Sequence, residues 1–213
     1  MNLRDRLICE LDTAMRTVFA KARAGRPQPL PTSASPAVIS PVTDKAAIEE
    51  SIRLMRVNHC GEVCAQALYQ GQALVAKAEE TRSLLVQAAK EEHDHLAWCE
   101  SRLDEMGGSK SRLSPLFYAG AFSVGVASGL LGDKWSLGFL VETERQVEAH
   151  LHDHLERISP ADAGSRVIIE AMREDEIRHG QSGLQLGAKS LPGPIKTAMS
   201  IFSRVMTRST YWV

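Results

Sequence analysis

The 213-residue chain has little sulfur chemistry: its four cysteines, Cys9, Cys60, Cys64 and Cys99, form no CxxC pair. Neither a disulfide scaffold nor a paired-cysteine iron module is expected, and a reduced compartment is the default. It also lacks an apolar leader. Asp5, Glu10 and Asp12 interrupt the first 26 residues, which read as a short amphipathic helix and not as a secretory signal. There is no excess of one charge, with 25 Lys plus Arg against 26 Asp plus Glu, so electrostatics give no reason to expect nucleic acid as a partner. No GxGxxG and no phosphate-binding glycine loop occurs, so no flavin or nucleotide module is expected within the chain.

What is present is helical. Five prolines between residues 25 and 42 stop any helix there and predict a flexible or extended linker, taken as 27–44. Four segments of helical period follow, near Lys45–Ala78, Thr81–Met106, Lys134–Ile158 and Ala161–Ala188, and predict an all-α, ferritin-like antiparallel four-helix bundle over 45–188. Between the second and third segments, residues 113–132 carry no charge and place Gly125 and Gly129 at GxxxG spacing. At the lower length limit for a membrane span and without a strong Leu/Ile run, this stretch reads as a crossover helix, either contacting a membrane surface or packed on the bundle. Residues 189–213 read as a basic amphipathic helix, with Lys189, Lys196, Arg204 and Arg208 and no acid. That end suits an anionic membrane surface.

Each of the four long segments puts a charged group in its apolar stripe. Two ExxH motifs, Glu92-His93-Asp94-His95 and Glu176-Ile177-Arg178-His179, each follow a lone in-stripe glutamate, Glu62 and Glu144, by 30 and 32 residues. With 17 Glu and 7 His in the chain, roughly 0.6 ExxH matches arise by chance, so the motif alone is weak. The repeated upstream spacing is not weak. An i, i+3 pair projects from one helix face, and two such hairpins bring four carboxylates and two imidazoles to one point, the pattern of di-iron and di-manganese bundles. Four buried glutamates without compensation would be strongly destabilising, and two divalent ions would neutralise them. Glu62, Glu92, His95, Glu144, Glu176 and His179 are therefore the expected metal ligands. Oxygen and imidazole ligands suit iron, manganese or zinc, with iron the choice for redox work. Asp175, Asp94 and His150 are candidates to orient ligands from outside, whereas His152 and His154 are expected at the surface.

The stretches RVNHCGEVCAQALYQGQALVA (Arg56–Ala76), EHDHL (Glu92–Leu96), VETERQVEAHLHDHL (Val141–Leu155) and REDEIRHG (Arg173–Gly180) closely resemble the 3-demethoxyubiquinol 3-hydroxylase family of ubiquinone biosynthesis. The resemblance runs from about Lys45 to the C-terminus and places the family's iron ligands on the same six residues. His150 matches a family histidine near the active site. Asn58 and Val63 stand where the family pattern often has Asp and Tyr, so no role carries over to those side chains. The resemblance implies a monooxygenase with two iron ions (Fe2+/Fe3+) and O2 as co-substrate, hydroxylating the ring of a polyprenyl demethoxyubiquinol. Electrons would come from outside the chain, with NADH through the quinol itself or a separate reductase as the alternatives. It further implies peripheral attachment to the cytoplasmic face of the cell membrane, with other ubiquinone-biosynthesis proteins or a homo-oligomer as partners. Phe117, Tyr118 and Phe122, with Ile195, Met199, Phe202, Val205 and Met206, either guide a prenyl tail or pack the core. A ferritin-like ferroxidase or iron store shares the six ligands and is the alternative.

Overall fold

A computed structural model describes residues 3–31 and 43–213. Seven helices follow in order: α1 (Leu3–Phe19), α2 (Lys45–Val75), α3 (Glu79–Glu105), α4 (Ser114–Leu130), α5 (Asp133–Arg157), α6 (Ala163–Gln185) and α7 (Gly193–Thr210), and no strand occurs among the described residues. The four long helices expected from periodicity are α2, α3, α5 and α6. They form two hairpins, α2 with α3 and α5 with α6, which pack on each other as the bundle. The all-α, ferritin-like expectation holds.

Local chemistry sets the helix ends. Asp44 caps α2 by accepting from the Ala46 amide at 3.0 Å, and Asp162 caps α6 by accepting from the Ser165 amide at 3.0 Å. Gly107 ends α3 in the left-handed region at φ 72°, where a β-carbon would be strained.

Apolar side chains fill the bundle in two layers. Leu54, Met55, Trp98, Cys99, Leu103, Leu151, Ile168, Ile169 and Met172 form one, and Leu68, Tyr69, Leu85, Ala88 and Leu140 the other. Each fully buried large side chain contributes about 1.5–3 kcal/mol. Burial on α2 extends beyond a single stripe, because the helix is covered on several faces: α3 and α5 from the bundle, α4 and α7 outside it, and α1 beyond.

The charge-free segment forms α4 and lies along α2. A β-carbon on Gly125 would sit 2.2 Å from the Leu68 carbonyl oxygen, and one on Gly71 2.4 Å from that of Phe122, so the two backbones touch only because both positions lack a side chain. No helix among the described residues is long and apolar enough to cross a membrane.

The N-terminal helix is shorter than expected. It ends at Phe19, and residues 20–31 run non-helically back over α3, where Glu100 and Asp94 accept from the amides of Ala22 (2.9 Å) and Gly25 (2.6 Å). Of the proline-rich stretch, residues 32–42 lie outside the described residues.

Candidate metal centre

Glu62 projects from α2, Glu92 and His95 from α3, Glu144 from α5, and Glu176 and His179 from α6, all buried between the two apolar layers. The helices bring all six expected residues together. They fall into two sets, Glu62, Glu92, His95 and Glu176, and Glu92, Glu144, Glu176 and His179, with the ligating atoms of each set within 4.8 Å of one another. Glu92 and Glu176 belong to both. Each divides its carboxylate: Glu92 Oε2 lies 2.9 Å from His95 Nδ1 and its Oε1 3.2 Å from His179 Nδ1, while Glu176 Oε1 lies 3.4 Å from His95 Nδ1 and its Oε2 3.5 Å from His179 Nδ1. Glu62 approaches only His95 (3.5 Å), and Glu144 only His179 (3.5 Å). Two shared carboxylates and one terminal carboxylate per histidine are what a carboxylate-bridged metal pair requires.

The electrostatics point the same way. Burial, and then the charge of neighbouring glutamates, holds Glu62 and Glu144 well above the usual carboxylate range. Burial would raise Glu92 too, but His95 and His179 outweigh it and pull it well below. Burial would lower the His95 imidazole, yet Glu92, Asp175, Glu176 and Glu62 raise it well above its ordinary value. Among buried atoms without a hydrogen-bond partner are Glu62 Oε2, Glu92 Oε1, Glu144 Oε2, both Glu176 oxygens and His179 Nδ1. Unpaired lone pairs turned toward one point, far from water, have the chemistry of a site for cations, and the residues fit two divalent ions.

An outer layer braces the imidazoles. Asp175 accepts a hydrogen bond from His95 Nε2 at 2.9 Å, and Glu91 accepts one from His179 Nε2 at 2.9 Å. Arg178 joins the two acids, 2.7 Å from Asp175 and 2.8 Å from Glu91. Glu91 was not singled out in the sequence, although it precedes its ExxH motif as Asp175 precedes the other. Tyr69, also passed over, donates its hydroxyl to Glu144 Oε1, and burial followed by the surrounding carboxylates keeps it protonated. Asp94 reaches no ligand; it turns outward to Arg26 at 2.8 Å.

The histidines of α5 correct the surface assignment. His152 is exposed, but His154 is buried, with Nδ1 2.7 Å from Asn58 Oδ1. Residues 150 and 154 share a helix face and 152 does not. The His150 ring lies 5.2 Å from that of His154. His150 stays out of the six-residue cluster and lines a neighbouring cavity.

That cavity, about 550 Å³, lies between α2, α5 and α7 and touches Glu62. Its wall is mostly apolar, with Val57, Leu68, Phe139, Ile195, Met199 and Met206, and Asn58, Thr143, Gln146 and His150 also line it. Val124 of α4 and Phe202 of α7 both line it and are open to solvent. Of the candidate tail-guiding residues, Ile195, Met199, Phe202 and Met206 line the cavity. Tyr118 and Phe122 stack on each other away from it, and Val205 faces outward.

An all-α bundle with a buried six-residue carboxylate and histidine centre beside an apolar cavity defines a class of helical metal-site enzymes. Within that class, residues 49–210 match the family described as Ubiquinone biosynthesis protein COQ7, and the chain belongs to this family. The chain is 53% identical over 211 residues to the 3-demethoxyubiquinol 3-hydroxylase of Chromobacterium violaceum, covering 98% of this chain and 99% of that one. Against the enzyme of the same name from Nitrosomonas europaea it is 52% identical, covering 98% of both.

Proposed function

We propose that this chain is a di-iron 3-demethoxyubiquinol 3-hydroxylase, in which Glu62, Glu92, His95, Glu144, Glu176 and His179 hold the two ions. The observation that carries this reading is the sharing of Glu92 and Glu176 between the two histidine-centred sets. Bound iron supplies the one-electron redox chemistry that lets O2 deliver one oxygen atom to an aromatic ring. The chain's own residues do the rest. Buried side chains on all four bundle helices keep water from the centre. Asp175 and Glu91 accept hydrogen bonds from the two Nε2–H groups, which would leave each Nδ1 lone pair for a metal.

The quinol would enter between α4 and α7, its prenyl tail against the apolar wall and its ring toward Glu62. Asn58, Thr143, Gln146 and His150 line the same cavity and would offer the ring oxygens their hydrogen-bonding groups. Burial lowers His150, which favours a neutral imidazole able to accept a hydroxyl proton. A cavity this apolar opening at Glu62 serves a lipid substrate and has no use in ferroxidase or storage chemistry, so the hydroxylase reading stands ahead of that alternative.

The same reading includes peripheral attachment to the cytoplasmic face of the cell membrane, supported by apolar side chains left exposed on α4 and α7. Leu116, Leu130 and Leu131 at the two ends of α4, and Ile201, Phe202 and Val205 on α7, expose apolar surface, and Arg204 and Arg208 of α7 are exposed as well. Electrons come from an external donor, with NADH the candidate.

The test is a mass-spectrometric quinone profile of cells with the gene deleted. Demethoxyubiquinone should accumulate and be cleared by the intact gene but not by Glu144→Gln. An unchanged ubiquinone pool in cells without a second hydroxylase would overturn the reading.

A further inference from the structure

The family match begins at residue 49, yet a residue far upstream reaches the acid that holds His95. After α1 the chain crosses α3, pinned by the Ala22 and Gly25 amides on Glu100 and Asp94 and by Lys21 on Asp104 at 2.6 Å. This strap delivers Arg26. Its Nε meets Asp94 at 2.8 Å and its Nη2 meets Asp175 at 2.7 Å, so one guanidinium ties α3 to α6. The same Asp175 oxygen, Oδ2, takes His95 Nε2. The guanidinium also lies over the Trp98 ring at 4.9 Å, and the Trp98 ring packs against the His95 ring at 5.3 Å. Trp98 in turn donates its indole N–H to the Arg26 carbonyl at 3.4 Å.

From this we infer that Arg26 is a positioning residue for one metal position, the one on His95, and that the N-terminal strap is a working part of the centre. Two routes lead from Arg26 to the same imidazole: through Asp175 to Nε2, and through Trp98 to the ring face. The other histidine is served differently. His179 is held by Glu91, whose cation is Arg178 from within the bundle. Arg178 also touches Asp175 through Oδ1, so losing Arg26 leaves that acid with a cation but frees the oxygen that holds His95 to shift. A planar guanidinium suits this task because its Nε and Nη2, held apart in one rigid plane, reach Asp94 and Asp175 at the same time, a geometry that the point charge of an ammonium does not fix.

The inference rests on the di-iron reading, and the test separates the two. Full-length chain is loaded anaerobically with ferrous iron, and release to a chromogenic chelator is followed over time, with circular dichroism monitoring the fold. In Arg26→Gln, half of the bound iron should leave about tenfold faster than in the intact chain and half at the unchanged rate. Arg26→Lys keeps a cation near Trp98 without the fork and should show the same selective loss, which covers the case in which Arg26→Gln fails to fold. In an Asp175→Asn background, Arg26→Gln should add less than it does in the intact chain, because the route to Nε2 is already cut and only the route through Trp98 is left to lose. A merely structural strap would lower the melting temperature and either loosen both halves of the iron alike or leave release unchanged; each of these results overturns the inference. Intact chain that takes up no iron overturns the di-iron reading, and this inference with it, whereas intact chain that holds two ions while the variants release them normally sinks this inference alone.

Discussion

Asp175 on α6 holds Nε2 of His95 on α3, and Glu91 on α3 holds Nε2 of His179 on α6, both at 2.9 Å. Each acid immediately precedes the glutamate of its own ExxH motif and serves the histidine of the other. The two motifs are braced crosswise, and each imidazole is held from the opposite hairpin.

Replacing Asp175 by Asn keeps the shape but removes the charge that favours the Nε2–H tautomer. Iron affinity should fall about 10–100-fold while the fold is retained. Competition with a chelator of known affinity measures this, and an unchanged constant would show that the contact does not orient the ligand.

Metal uptake should release protons. Burial and neighbouring charge keep Glu62 and Glu144 protonated well above the usual carboxylate range in the metal-free chain, and both must ionise to bind a cation. Affinity therefore weakens as pH falls. Calorimetric titration in two buffers of different ionisation heat reads the proton count directly, and equal apparent heats would contradict it.

Acid should destabilise the chain through His59 and His154. Burial is the main cause that lowers both to about 3, so below about 6.5 the unfolded chain takes up protons that the folded chain refuses. Stability is then lost as pH drops from about 6.5 toward about 3, by about 1.4 kcal/mol per pH unit for each histidine. His154→Gln, which can still donate to Asn58, should remove one of the two contributions in urea unfolding at pH 7 and pH 5; an unaltered pH slope would disprove it.

Gly125→Ala tests the seam between α2 and α4. The added carbon would stand 2.2 Å from the Leu68 carbonyl oxygen, so the helices must part. A loss of about 1–3 kcal/mol is expected from overpacking, measured by chemical denaturation, and a change below about 0.5 kcal/mol would mean that the seam yields freely.

The bundle helices were legible because apolar periodicity and i, i+3 pairing are local properties. Glu92 and His95 are three residues apart, so a single turn of helix already sets them on one face. The bracing was less legible. Glu91 sits in the run Glu91-Glu92-His93-Asp94-His95, which resembles a solvated face, and its role emerges only when α6 lies beside α3. Arg26 is harder still, since 69 residues separate it from His95 and 149 from Asp175, and no periodicity links a strap to a bundle. His154 was within reach: a four-residue step from His150 places it on the same buried face, while His152 points away. The docking of α4 needed the close approach at Gly71 and Gly125, which GxxxG spacing suggests without naming the partner helix.

The shared carboxylates make the hairpins mutually dependent. The α2–α3 half supplies Glu62, Glu92 and His95 but needs Glu176 to finish its set, and the α5–α6 half needs Glu92 for its own. A chain cut between α4 and α5 should thus yield two fragments that are each incompetent for iron, and mixing them should restore uptake only as far as they dock. Iron loading in such a split protein becomes a reporter of reassembly, and within the intact chain it places metal capture after the halves have met.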